Sequence, residues 1–253
     1  MTQMGLPQLV STFLKRSKLP KAFLIAALLE AVVPDYWNSY LKQSKMNSVL
    51  KLLNIRPCER ILDVGANVGL FTVEAADKVG PDGLVIAVEP EPSNLLALRI
   101  RARGNSNIIP IAAAIWNRPT TLDLYRSSNS LWHSVKPKKR TKVKEESKLD
   151  TIKVSCTTVD RIAKAFLNGH VDVMKISVEG SEVEVLGGAH DTIPQCRGIA
   201  IQCVATPEEL RESIGGVVRL LDNYGFGHVV LPLGTTWAWV VFLRSDNGTR
   251  SGG

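Results

Sequence analysis

Residues 61–71, ILDVGANVGLF, constrain this chain more than any other stretch, because an apolar strand there runs into glycines and then into a helix. Small residues in such a turn let the backbone approach a ligand closely, and free N–H groups at the helix start attract a carboxylate or phosphate. Twenty residues after Gly69 stands Glu89, at the end of a second apolar run, LVIAVE. A carboxylate there can accept hydrogen bonds from both hydroxyls of a ribose. Strand, glycine turn, helix and a strand ending in an acid thus predict a parallel sheet with a nucleotide-type site at its edge. The spacing excludes one version of that site. A dinucleotide fingerprint, GxGxxG, requires glycine where this chain has Asn67, leaving only Gly65-x-x-x-Gly69.

The rest of the chain extends the same texture. Candidate strands lie at 60–64, 84–89, 108–115, 171–177, 197–204, 228–233 and 237–243. Helical patterns fit at about 67–78, 92–104, 181–188 and 207–224, so helices are expected on both sheet faces. No helix fits between the last two strands, which predicts an antiparallel hairpin at one edge. Residues 1–56 read as a helical N-terminal extension, with Pro7, Pro20 and Pro34 between segments and Val49, Leu50, Leu52 and Leu53 closing it. The main domain is expected over 57–244. An insertion at 117–170 carries strands near 120–126 and 152–158, and its length predicts a substrate lid, since loops beyond ~12 to 15 residues are usually functional or disordered. The tail 245–253 reads as disordered.

Composition excludes several classes. Hydrophobic residues make up 45% and charged residues 22% of 253 residues, the balance of an ordinary folded protein rather than a fibrous or disordered one. Cys58, Cys156, Cys196 and Cys203 form no CxxC pair and no zinc-type cluster, so they read as reduced core thiols and no metal site is expected. The net charge is +7, but seven of the 31 basic residues fall within Lys136 to Lys148, so the excess is local. That run reads as a solvated loop or as a contact with an anionic membrane surface or a phosphate-bearing substrate; no aromatics interleave it, which disfavours nucleic acid as a partner. The apolar stretch Ala22 to Val33 contains Glu30 and is short of the ~20 residues a bilayer span needs, and a cytoplasmic location is expected.

Three motifs together carry a family resemblance. Asp63 stands two residues before Gly65, as in motif I of class I methyltransferases; VEPEP follows at 88–92; and DVMKISVEGSEVEVLGGA spans 172–189, preceded by TTVD at 157–160. With these in register the chain resembles FkbM-type methyltransferases. The resemblance implies an α/β fold with a Rossmann-like, seven-stranded, mostly parallel sheet. It also implies S-adenosylmethionine as cofactor and methyl transfer to a hydroxyl oxygen of a sugar, lipid or other natural product. The residues it sets against the cofactor are Asp63, Gly65, Ala66, Asn67, Gly69, Phe71, Glu89, Pro90 and Ala114. One position departs: Ser177 stands where the family commonly has Asp. A missing carboxylate there points to a different proton acceptor, no metal, a changed substrate or reduced activity.

For an alcohol acceptor a base within hydrogen-bond reach must take the proton. Glu179 is the first candidate, with His133 and Lys175 beside it and Ser177 at the same strand end. Each has a plainer reading. Glu179 can favour a helix start, Lys175 inside an apolar strand can belong to a structural ion pair, and His133 can sit in a surface loop. Ser181 and Glu184 have capping-box spacing, which accounts for both. Trp237 and Trp239 alternate along one strand and read as packing on one sheet face. Two other functions stand beside small-molecule methylation: a non-catalytic cofactor-binding module that recruits a partner or membrane, and an RNA methyltransferase.

Overall fold

A computed structural model describes residues 45–126, 134–135, 150–204 and 206–244. The expected helices before residue 45, the basic run, His133 and the tail lie outside the described residues. The chain enters with α1 (Met46–Leu53), whose Met46, Val49, Leu50 and Leu53 form one buried stripe. Then β1 (Arg60–Val64), α2 (Leu70–Val79), β2 (Leu84–Val88), α3 (Pro92–Arg101) and β3 (Ile108–Ile111) build one half of a sheet. The other half is α4 (Val159–Phe166), β7 (Val173–Ile176), α5 (Glu182–Leu186), β8 (Gly198–Val204), α6 (Pro207–Asp222), β9 (Phe226–Pro232) and β10 (Trp237–Arg244). Between the halves, β4 (Ala114–Ile115), β5 (Thr120–Arg126) and β6 (Asp150–Thr157) make a separate sheet of order β4-β6-β5.

The main sheet has the order β3-β2-β1-β7-β8-β10-β9, and β10 alone runs antiparallel to its neighbours. The expected hairpin therefore exists, but its second strand is threaded inside. Burial gives the reason: Val240, Val241 and Phe242 of β10 are fully buried, whereas Val229 and Val230 of β9 are exposed and suit an edge. Chain order runs outward from β1 through β2 and β3 on one side and from β7 to β8 on the other, so the carboxyl ends of β1 and β7 flank a topological switch point, where open sheets bind ligands.

Strand alternation sorts the core into two layers. Ile61, Val85, Val173, Ala200, Trp239 and Val241 face α1 and α2, while Leu62, Ile86, Met174, Ile199, Ile201 and Phe242 face α4, α5 and α6. Leu95 and Leu98 of α3 pack on Ala66 and Ala87, on the side of α2. Arg197, at the start of β8, pairs its guanidinium with Glu59 and donates to the carbonyls of Leu53 and Asn54, which fastens the end of α1 to the sheet.

Some expectations are corrected. The run 108–115 is two strands in two sheets, because the chain leaves β2 after Ile111 and pairs again, with β6, only at Ala114. The insertion ends earlier than 170: Val159, Ile162 and Ala163 bury α4 against the main sheet. Cys58 is exposed, unlike the three buried cysteines, and sits in a left-handed turn. Among the described residues no helix is long and apolar enough to cross a membrane.

Candidate active site

The turn after β1 is built around positive φ angles at Gly65 (71°), Asn67 (52°) and Gly69 (86°). At Gly65 a Cβ would lie 2.0 Å from the Ser177 carbonyl oxygen, so only glycine lets the ends of β1 and β7 approach this closely. The N–H groups of Gly65 and Ala66 both donate to the Val88 carbonyl at 3.0 Å, tying the turn to β2. Glu89 continues that strand. One carboxylate oxygen accepts the Asn67 N–H at 2.8 Å and the other the Glu91 N–H at 3.0 Å. Burial raises the Glu89 pKa to about 7, against the lowering effect of those two bonds.

Beneath the turn lies a buried charge pair. Lys175 of β7 stands in register with Asp63 of β1; its Nζ is 3.0 Å from Asp63 Oδ1 and donates to the Gly65 carbonyl at 2.7 Å. Asp63 also accepts the Thr72 hydroxyl at 2.6 Å. Asp63 is fully buried and does not reach the cleft wall, so with Lys175 it braces the turn from below. The unusual charge inside an apolar strand thus has the partner its burial demands.

Above this layer opens a cleft of about 1100 Å³, the part open to solvent included. Gly65, Ala66, Asn67, Phe71, Glu89, Pro90, Ala114, Lys175, Ser177 and Glu179 all border it, while Gly69 and Asp63 do not. Gly69 instead caps α2 beneath Leu98. Glu179 is buried in a left-handed conformation (φ 57°), followed by Gly180 at φ 100°. Its carbonyl accepts the Ser134 hydroxyl at 2.9 Å, which draws the small sheet against the cleft. His133 adjoins Ser134 but lies outside the described residues.

Several cleft residues escaped sequence reasoning. Ser177 donates its hydroxyl to the Gln202 amide oxygen at 2.6 Å, and both side chains border the cleft. Gln202 is a polar residue in the otherwise apolar β8, GIAIQCV, and that exception was its only sequence signal. The capping box at Ser181 is not formed. Ser181, at φ −120° and ψ 22°, lacks the extended backbone of an N-cap and makes no cap bond, which leaves its buried hydroxyl unpartnered on the cleft wall, while Glu182 accepts the Gly180 N–H. A true capping box closes α6, between Thr206 and Glu209. Trp237 and Trp239 share a sheet face as expected, and they also border the cleft beside Gln202.

Comparison with known proteins matches residues 63–227 of this sequence to one family description, the methyltransferase FkbM domain. A stretch of 95 residues is 27% identical to protein-L-isoaspartate O-methyltransferase 1 of Archaeoglobus fulgidus, covering 36% of this chain and 44%, less than half, of that relative. Among solved structures, a putative rRNA methylase from Clostridium thermocellum aligns with a TM-score of 0.51 at 9% identity, over 81% of this chain and 97% of that one. Aeropyrum pernix fibrillarin with natively bound S-adenosyl-L-methionine aligns with a TM-score of 0.47 at 17% identity, over 88% and 76%. At 9% identity the first of these likenesses speaks for the fold alone.

Proposed function

The chain belongs to the FkbM methyltransferase family, and from that premise we propose that it moves a methyl group from S-adenosylmethionine to a hydroxyl oxygen of a sugar, lipid or other small natural product. The observation that carries this reading is one cleft at the switch point with a buried Glu89 on one wall and Glu179, Ser177 and Gln202 on another. The residues suit the donor. Each Glu89 oxygen takes one backbone N–H and keeps a second lone-pair direction for a ribose hydroxyl, and a carboxyl buried at a cost in pKa gains from such donors. Pro90, Ala114 and Phe71 give an apolar lining, and the turn from Gly65 to Asn67 allows close backbone approach.

When bound, S-adenosylmethionine supplies a methyl group already activated by its sulfonium. The chain's own work is to align the acceptor and exclude water. Lys175 and Asp63 hold the floor of the turn. The small sheet, which brings Leu124 and Ser134 to the cleft, screens it from solvent as a lid. Glu179 takes the hydroxyl proton, the role that Ser177 cannot fill.

Thermal shift with S-adenosylhomocysteine tests the donor half: stabilisation at saturating ligand is expected, and its absence overturns the reading. Labelled donor incubated with glycosides, lipids and RNA tests the acceptor half. Glu179→Gln should lower turnover by ~10²-fold or more while S-adenosylhomocysteine binding persists. Transfer to RNA alone, lost when Lys138, Lys139 and Arg140 become Ala, would replace the hydroxyl acceptor with a nucleic acid.

A further inference from the structure

The acceptor end of the cleft contains two polar groups that the protein leaves open. Because Gln202 Oε1 accepts the Ser177 hydroxyl, its NH₂ end is directed away from that bond. Gln202 lines the cleft, and among the described residues its one side-chain hydrogen bond is that to Ser177, so the NH₂ is left for the cleft. The Ser181 hydroxyl, on a residue 1% exposed, is buried with no hydrogen-bond partner. Burying a hydroxyl without a partner costs about 1 to 3 kcal/mol, so the Ser181 hydroxyl, on the same wall as the cleft-facing Gln202 amide, marks the place of a polar ligand. The charges on that wall restrict which ligand. Lys175 is the only basic side chain among the described residues lining the cleft, and Asp63 and the Gly65 carbonyl already hold it. Glu89 and Glu179 are the acidic groups. An anionic acceptor would meet carboxylates with no uncommitted cation to offset them, and an ammonium has no lone pair for an amide donor.

The geometry points to Gln202 as the residue that positions the methyl acceptor and selects uncharged acceptors presenting a lone-pair oxygen beside the methylated atom. Ser177 acts through it. A hydroxyl can donate to the amide oxygen and so turn the NH₂ towards the acceptor, whereas an Asp at 177, an acceptor only, would draw the NH₂ to itself and turn the oxygen outward. The departure at 177 therefore exchanges a charged strand end for an oriented neutral donor. Trp239, in register with Gln202, and Trp237 beside it add an aromatic wall suited to the C–H face of a sugar ring.

This inference rests on the hydroxyl-methylation reading, and its test separates the two. Three probes that share one ring, methyl β-glucoside, glucuronate and glucosamine, are titrated into protein saturated with S-adenosylhomocysteine, following the side-chain NH₂ resonances of Gln202. The glucoside is expected to shift those resonances and to bind roughly fivefold to tenfold more tightly than either charged probe. Gln202→Ala and the size-conserving Gln202→Glu should each remove that advantage. Ser177→Ala should weaken glucoside binding while S-adenosylhomocysteine affinity stays unchanged, and Ser177→Asp should shift preference towards glucosamine. Binding of S-adenosylhomocysteine with no glucoside response, with glucuronate bound equally well, or with no effect of either Gln202 variant, overturns the inference alone. Failure of S-adenosylhomocysteine to bind overturns the parent reading instead.

Discussion

Gly65 and Glu89 are where single residues decide most. A methyl group on Gly65 meets a carbonyl oxygen at 2.0 Å and must adopt φ of 71°, so Gly65→Ala should cost about 2 to 4 kcal/mol in urea unfolding and abolish S-adenosylhomocysteine binding. Glu89 predicts a pH dependence. Its pKa rises from 4.5 to about 7 on folding, so the ligand-free fold binds this proton more tightly than the unfolded chain does; that contribution to stability is full below 4.5 and lost as pH rises through about 7. Donor hydroxyls favour the charged carboxylate, so binding runs the opposite way. S-adenosylhomocysteine affinity should fall by up to about tenfold per unit as pH drops below about 7, and Glu89→Gln should flatten that slope in calorimetry. Both residues were legible in the sequence, because a tight turn and a strand-end acid depend on local spacing. Gln202 was not, because its partner Ser177 lies on another strand and meets it only through sheet register.

Within elements, the brace between β1 and β7 and the helix caps make separable claims. Asp63→Ala leaves the Lys175 ammonium buried and without its carboxylate, which should destabilise the protein by about 3 to 5 kcal/mol; Asp63→Ala with Lys175→Met should recover most of that loss. Sequence alone left Lys175 between catalysis and an ion pair, since a strand pattern does not reveal which residue stands opposite. The caps reverse the sequence expectation. Thr206→Ala should cost about 1 kcal/mol, whereas Ser181→Ala, which removes no cap bond but deletes a hydroxyl buried without a partner, should stabilise by about 1 to 3 kcal/mol in the same denaturation assay. The motif S-x-x-E matches at Ser181, but after the left-handed pair Glu179 and Gly180 the Ser181 backbone lies at ψ 22° instead of in the extended region that an N-cap needs.

Across the whole molecule, Arg197 ties the end of α1 to the sheet through Glu59 and two carbonyls. Arg197→Ala should cost about 2 to 4 kcal/mol and speed amide exchange in α1 relative to β1, as hydrogen-exchange mass spectrometry would record. The sequence by itself determined the α/β class, the apolar strands, the helices between them and the turn with its acid, because hydrophobic periodicity and glycine spacing act within a few residues. Tertiary structure alone decided that β10 lies inside β9, that 108–115 divides between two sheets, and that Lys175 serves Asp63. It also brought Ser177, Gln202 and Ser181 to one wall. Those outcomes depend on which strands exchange backbone hydrogen bonds and which faces are buried, and pairing across tens to more than a hundred residues leaves no mark on local pattern.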